Sequence, residues 1–137
     1  MAWKIFMLLV PFVLLVDLLW LGVIMKNFYA QEIGGILKRE GQSLAPRWIP
    51  AILVYGLIPA GLVLFVRPQL GVDTTLLQTF VSGALFGLIV YGVYDFTNLA
   101  ILDAWTLRVT LADIAWGCVL CGTSSMVMRL IEQWLSS

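Results

Sequence analysis

The amino-acid sequence predicts an all-α integral membrane protein folded as a four-helix bundle. The first observation behind this prediction is composition: 61% of the 137 residues are hydrophobic and only 12% are charged. Soluble domains carry about a quarter charged residues, so this chain is typical of membrane proteins. The second observation is a set of apolar segments of roughly 20 residues, the length that crosses a bilayer. These segments occupy most of residues 1–137, so we expect a single transmembrane domain.

The four predicted spans lie at about residues 5–25, 48–66, 77–100 and 111–131. The first resembles a secretory signal peptide, since Lys4 precedes an apolar run. It is longer than a signal sequence, Asp17 interrupts it, and only a poor cleavage site follows, so we expect a retained helix. The connection between spans three and four is short, which predicts that these spans are antiparallel neighbours.

Prolines and glycines indicate local features of the spans. Pro11 and Pro59 fall in the middle of spans one and two, and each predicts a kink because proline lacks an amide donor. Gly83 and Gly87 form a G-x-x-x-G pattern in span three, which lets another helix approach closely. That helix belongs either to a second copy of the chain or to the same bundle, and the pattern fits both. In the first connection, the stretch EIGGIL predicts a short interfacial turn.

Lysine and arginine are unequally distributed between the two sides of the predicted bundle. One side carries Lys26, Lys38, Arg39, Arg47 and Arg108, and the other carries Lys4, Arg67 and Arg129. This excess predicts that the first and third connections are cytoplasmic and that both termini lie outside.

Composition also excludes several classes of function. Net charge is zero and no long basic run occurs, so we expect no nucleic-acid partner. The chain has no histidine, which excludes a Ser/His/Asp triad and a histidine-bound haem. Cys118 and Cys121 form a C-x-x-C pair inside span four, where we expect close packing rather than redox chemistry or a metal site. No cofactor and no metal are predicted.

Three carboxylates lie within or at the edge of spans: Asp17, Asp95 and Asp113. A charge at membrane depth costs about 2.5 to 3.5 kcal/mol and usually faces the bundle interior with a partner. Spans one and three run in one direction and span four returns, so the positions of these acids place them at the same side of the bundle. Asp17 has the weakest structural explanation, because no basic residue lies within a helical turn. It needs a partner from another helix, a proton or a bound cation.

Aromatic and amide side chains accompany these acids. Trp20 and Trp116 each follow an aspartate by three residues, so acid and indole share a helix face. In span three, Tyr91, Asp95 and Asn98 share a face by the same geometry, and Tyr94 lies beside Asn98. The sequence therefore predicts a polar pocket walled by the two tryptophans. Its predicted ligand-binding residues are Asp17, Trp20, Tyr91, Tyr94, Asp95, Asn98, Asp113 and Trp116.

Structural roles compete with this interpretation at some positions. Thr110 and Asp113 match a capping box, in which both side chains would close the start of span four. Thr97 and Asn98 fit a role in closing the end of span three. Trp20 and Trp116 are also compatible with an interfacial aromatic belt.

The chain resembles a family of small four-span bacterial inner-membrane proteins catalogued as a domain of unknown function. The resemblance rests on DLLWLG followed by NFY, on VYGLIPAGLVLFVRP, and on GALFGLIVYGVYDFTNLAILDAWTLRVTLADIAWG. It covers nearly the whole chain. The resemblance implies a multi-pass protein of the bacterial cytoplasmic membrane, and it brings no established reaction, so no catalytic role is carried over.

Three functions fit this sequence. The first is binding or transport of a small cationic or amphipathic ligand, or of a proton, because carboxylates supply charge and indole faces attract cations. Small multidrug exporters are similar in plan, with four spans and an acid in the first, but their signatures are missing here. The second is an accessory subunit of a larger membrane complex, in which hydrogen bonds of the polar cluster hold the helices together. The third is a membrane enzyme that modifies lipids. Beyond the lipid bilayer, the partners expected are such a ligand, a second copy of the chain or a larger complex.

Overall fold

A computed structural model describes residues 1–33, 39–40, 43–44 and 47–137 of the protein. Within these residues, four helices are long and apolar enough to cross a membrane, which confirms the predicted fold class. They comprise Ala2–Ile24, Trp48–Gln69, Leu76–Ile101 and Leu107–Ser136.

The first span contains α1, Ala2–Leu19, which continues as a π-helical turn over Trp20–Ile24. A short helix, α2, follows directly at Lys26–Ile33. The remainder of this connection includes two strands, β1 (Arg39–Glu40) and β2 (Ser43–Leu44), which pair antiparallel. The interfacial turn predicted at EIGGIL falls mainly on residues 34–37, outside the described residues.

The second span consists of α3 (Trp48–Gly61), a π-helical turn (Leu62–Val66) and a 3₁₀ turn (Arg67–Gln69). Pro59 lies inside α3, and the π-helical turn begins three residues later. Proline removes one amide donor from the helical ladder and its ring crowds the preceding turn, so irregular geometry is expected close to it. The hydrogen-bond ladder of this span is therefore irregular in its second half.

The third and fourth spans are α4 (Leu76–Ile101) and α5 (Leu107–Ser136). Thr75 and Gln78 form a capping box at the start of α4. The side chain of Thr106 caps α5 by accepting from the amide of Val109. The prediction that Thr110 and Asp113 form the cap of span four is wrong, because the helix begins one turn earlier and the Thr110 hydroxyl donates to the Thr106 carbonyl instead.

The two helices α4 and α5 pack closely along their length, as their short connection predicts. A Cβ atom on Gly87 would overlap the backbone of Gly117, and one on Gly83 would overlap the side chain of Ser125. The G-x-x-x-G pattern therefore serves packing inside this bundle. Cys121 is buried against Gly87, as the packing interpretation of the C-x-x-C pair predicts.

One half of the bundle interior is apolar. Seven side chains from three spans are fully or almost fully enclosed there, and we call them the apolar plug: Ile5, Leu9, Val13, Leu62, Val66, Leu120 and Met128. Beyond the plug, the end of the bundle is joined by an ion pair at 2.8 Å between Arg67 and Glu132. The three aspartates within the spans, Asp17, Asp95 and Asp113, lie on the other side of the plug.

Candidate functional site

The structure brings six of the eight predicted site residues into one region. Hydrogen bonds, an aromatic stack and close approaches of charged groups link Asp17, Trp20, Tyr91, Asp95, Asp113 and Trp116. We call this region the acid cluster, together with the two tyrosines, Tyr29 and Tyr55, that contact it.

Asp17 is buried, with 8% of its surface exposed, and both of its carboxylate oxygens accept hydrogen bonds. The indole Nε1 of Trp116 donates to Oδ1 at 2.8 Å. The hydroxyl of Tyr55 donates to Oδ2 at 2.7 Å. Asp17 thus obtains the expected partners from other helices, and the two bonds connect α1 to α3 and to α5.

A second chain of hydrogen bonds leads to Asp113. The indole Nε1 of Trp20 donates to the Tyr29 hydroxyl at 3.2 Å, and this hydroxyl donates to Asp113 Oδ1 at 2.9 Å. Burial raises the pKa of the Tyr29 phenol well above its ordinary value, and the nearby Asp113 carboxylate raises it further. Tyr29 therefore remains a neutral hydrogen-bond donor at physiological pH.

The indoles of Trp20 and Trp116 take part in these two sets of hydrogen bonds and do not line opposite sides of a pocket. The rings of Trp20 and Trp116 are parallel within 2°, and their centroids are 4.4 Å apart. Rings at this separation are in van der Waals contact. No ligand fits between them, so the predicted pocket walled by the two tryptophans is replaced by a stacked pair.

Asp95 differs from the other two acids. Its side chain is fully buried, and neither of its carboxylate oxygens has a hydrogen-bond donor. Its carboxyl group lies against that of Asp113. Ionised carboxylates are acceptors only, so this contact becomes favourable when one of the two carries a proton or when a cation lies between them.

No basic side chain compensates the pair in the part of the chain that the structure describes. The ion pairs found there are Arg67 with Glu132, and Arg108 with Glu32. In the same described residues, no group of three Asp, Glu, Cys or His side chains is arranged to hold a metal ion. Among these residues, neither acid of the Asp95–Asp113 pair has a basic partner.

Tyr91 is the member of the acid cluster that packs between α4 and α5. Its ring packs on Gly117, where a Cβ atom would overlap it, and its hydroxyl is near both Asp17 and Asp113. Gly117, which directly follows Trp116, therefore makes room for this ring between α4 and α5.

Tyr94 and Asn98 lie away from this centre. Tyr94 is 56% exposed, and its ring meets Trp105 edge-on at 5.9 Å. Asn98 is partly buried and lies next to Tyr94, as predicted. Since neighbouring residues of a helix point about 100° apart, Tyr94 cannot share the inward direction of Asp95. Its position is typical of an interfacial aromatic residue.

Two residues of the acid cluster were not predicted as site residues. Tyr55 is a phenol in the middle of span two, and a polar group at that depth is a signal for an interhelical partner. Tyr29 belongs to the NFY stretch and lies beyond the first span, where an aromatic residue is ordinarily interfacial. Only the placement of α2 reveals its contact with Asp113.

Comparisons with known proteins give a family and nothing finer. A search of curated proteins and a search of solved structures each found no match. A family model described as "Predicted membrane protein (DUF2177)" matches residues 2–130, which include nearly all of the four spans and the whole acid cluster. The chain therefore belongs to the DUF2177 family of predicted membrane proteins, whose function is unknown.

Proposed function

We propose that the protein binds a small organic cation at the Asp95–Asp113 carboxyl pair, in exchange for a proton. The observation that carries this proposal is the state of Asp95, a fully enclosed carboxyl group without a hydrogen-bond donor. Buried polar groups are nearly always paired, and Asp95 can obtain a partner only by sharing a proton with Asp113 or by meeting a cation. A binding role gives a reason for retaining it.

The exchange follows from the chemistry of two touching carboxyl groups. Two carboxylates in contact cannot both be ionised in a dry site, so the empty pair shares a proton. The Tyr29 hydroxyl donates to Asp113, which favours the ionised form there and leaves the shared proton on Asp95. A bound cation supplies the same compensation and releases that proton. Proton and cation therefore compete for one place.

Aromatic rings beside the pair favour an organic cation. The Tyr91 ring, one turn before Asp95 on α4, packs on Gly117 of α5, and the Trp20–Trp116 stack is joined to Asp17 directly and to Asp113 through Tyr29. Aromatic faces attract ammonium groups by about 0.5 to 2 kcal/mol, more when the cation is desolvated. A hydrated metal ion would gain less from such walls.

The position of the apolar plug supports one-sided exchange in this conformation. Its enclosed side chains separate the acid cluster from the membrane face at which Arg67 and Glu132 lie. Transport would require the side chains of the apolar plug to separate and open a path between the helices. The π-helical turns of spans one and two, at Trp20–Ile24 and Leu62–Val66, interrupt the regular ladders of the helices that would have to move.

The test is a binding measurement on the purified protein with tetraphenylphosphonium, ethidium and protonated alkylamines. Titration calorimetry in buffers of different ionisation enthalpy reports both affinity and released protons. We expect binding to tighten as pH rises and about one proton to leave per cation, because the two compete for one charge. Asp95→Asn should abolish this competition, whereas Asp103→Asn, an exposed acid, should bind as the wild type does.

Absence of binding by every probe, or an affinity that does not change with pH, would contradict the proposal. The alternative is then an accessory subunit, and the satisfied hydrogen bonds of Asp17 favour it, because they already tie three spans together. That role predicts a partner protein that co-purifies in mild detergent and is lost with Asp17→Ala.

A further inference from the structure

We infer that α2 acts as a gate, which moves to open or close the acid cluster to water. The hydrogen bond from Tyr29 to Asp113 is the latch that holds it closed. The inference rests on the proposed function in one respect, since a gate implies that something passes it. Its structural basis is separate, and it lies in the way α2 docks on the start of α5.

The docked helix covers the cluster with a small apolar contact. Tyr29 and Ile33 of α2 are buried together with Val109 of α5. Side chains around them complete this contact: Trp20, Leu21, Met25, Phe28 and Trp105. The contact is separate from the main core, so α2 can leave it without opening the bundle.

Polar bonds hold α2 at two points. Near its end, Glu32 accepts a hydrogen bond from Thr106 at 2.9 Å and pairs with Arg108 at 3.2 Å. The Arg108 side chain is 77% exposed, and exposed ion pairs hold weakly. The second point is the Tyr29 hydroxyl on Asp113. This buried bond to a carboxylate is the stronger attachment and joins the gate to the site itself.

A ligand that reaches the carboxyl pair must displace this latch. Asp113 is partly exposed, whereas Asp95 is fully enclosed, so Asp113 is the acid of the pair that solvent reaches. Tyr29 occupies Oδ1 of Asp113 and accepts from Trp20 at the same time. The apolar plug blocks approach from the opposite end. Movement of α2 is therefore the route by which the pair gains access to water.

The experiment measures how often Val109, beneath α2, becomes accessible. Val109→Cys is placed in a Cys118→Ser, Cys121→Ser background and reacted with a water-soluble maleimide. Tyr29→Phe removes only the latch hydroxyl and is expected to raise the labelling rate about tenfold, as loss of a hydrogen bond to a charged group would. Glu32→Gln is a second variant, with a smaller increase expected.

The matched control is Leu120→Cys, which is also fully buried but lies in the apolar plug. Its labelling rate should not respond to Tyr29→Phe, because that substitution loosens α2 alone. Equal acceleration at both cysteines would mean general loosening of the bundle and would overturn the gate. So would an unchanged rate at Val109→Cys in both variants.

The two proposals fail separately. If Tyr29→Phe accelerates labelling and no cation binds, the gate is supported and the proposed function is contradicted. To test passage itself, Glu32→Cys and Thr106→Cys in the same background are bridged with a short bis-methanethiosulfonate reagent. Bridging should slow tetraphenylphosphonium binding, and reduction of the bridge should restore it. An unchanged binding rate in the bridged protein would show that the cation does not pass α2.

Discussion

Asp17→Asn is expected to destabilise the protein and Asp95→Asn is not, although the substitution is the same. Asp17→Asn should destabilise the protein by about 2 to 3 kcal/mol, and Asp95→Asn should leave stability unchanged or raise it by about 1 kcal/mol. The difference arises from what each carboxyl group contacts in the bundle.

At position 17, each carboxylate oxygen accepts from a separate donor, Tyr55 on one side and Trp116 on the other. Asparagine has one acceptor oxygen, and its NH₂ group would face the other donor. One buried donor is then left without a partner. At position 95 no donor is lost, and the new amide can donate to Asp113 without needing a proton.

The measurement is reversible unfolding in mixed micelles, followed by tryptophan fluorescence, with melting temperature as a second readout. Asp73→Asn and Asp103→Asn are matched controls, because both acids are exposed. They should lie within about 0.5 kcal/mol of the wild type. If Asp95→Asn is instead as damaging as Asp17→Asn, Asp95 is held by contacts like those of Asp17, and the argument for an unsatisfied binding group fails.

A difference between the two variants would separate two kinds of buried acid. A group whose removal destabilises is part of the framework, whereas one whose removal stabilises is kept at a cost to folding. In the sequence, Asp17 is the acid that its own helix explains least. The structure supplies that explanation from other helices and leaves Asp95 without one.

The number and positions of the spans could be predicted because each is a long apolar run. The start of the fourth span was harder to predict, since both Thr106 and Thr110 can cap a helix. Arg108 made the first turn look like part of the loop. In the structure this arginine pairs with Glu32 of α2, which lies far away in sequence. A local pattern does not contain that contact.

The acid cluster was predicted where helical spacing alone was enough. Tyr91 and Asp95 lie one turn apart, and both face inward. Contacts between spans were not predictable in the same way. Tyr29 and Asp113 are separated by 84 positions, and Tyr55 and Asp17 by 38. Which phenol meets which acid depends on how the helices are arranged around the core, and the sequence pattern of each span leaves that open.

The arrangement of small residues divides the bundle into two parts. The α4–α5 pair is closely packed through glycines and carries Asp95, Asp113, Trp116 and Tyr91. Spans one and two contain both internal prolines and both π-helical turns. The first part is suited to hold the carboxyl pair in a fixed geometry, and the second to adjust around it.

Gly87→Val should be the most damaging single substitution in this framework, with an expected loss of about 3 kcal/mol. A Cβ atom at this position would overlap the carbonyl group of Gly117, which is backbone and cannot rotate away. The helices α4 and α5 would have to separate. Tyr91 and Asp95, one and two turns further along α4, would then move relative to Asp113, so cation binding should be lost together with stability.

Gly92→Val provides the matched control, because it makes the same change in the same helix. Nothing lies within 4 Å of a Cβ atom on Gly92, so the added side chain meets open space in the protein. We expect a change of less than about 0.5 kcal/mol in the unfolding free energy and unaltered binding. If both valines are tolerated equally, the glycine contact does not set the distance between α4 and α5. The fixed geometry of the carboxyl pair would then need another source, such as the approach of Gly83 to the backbone carbonyl of Cys121.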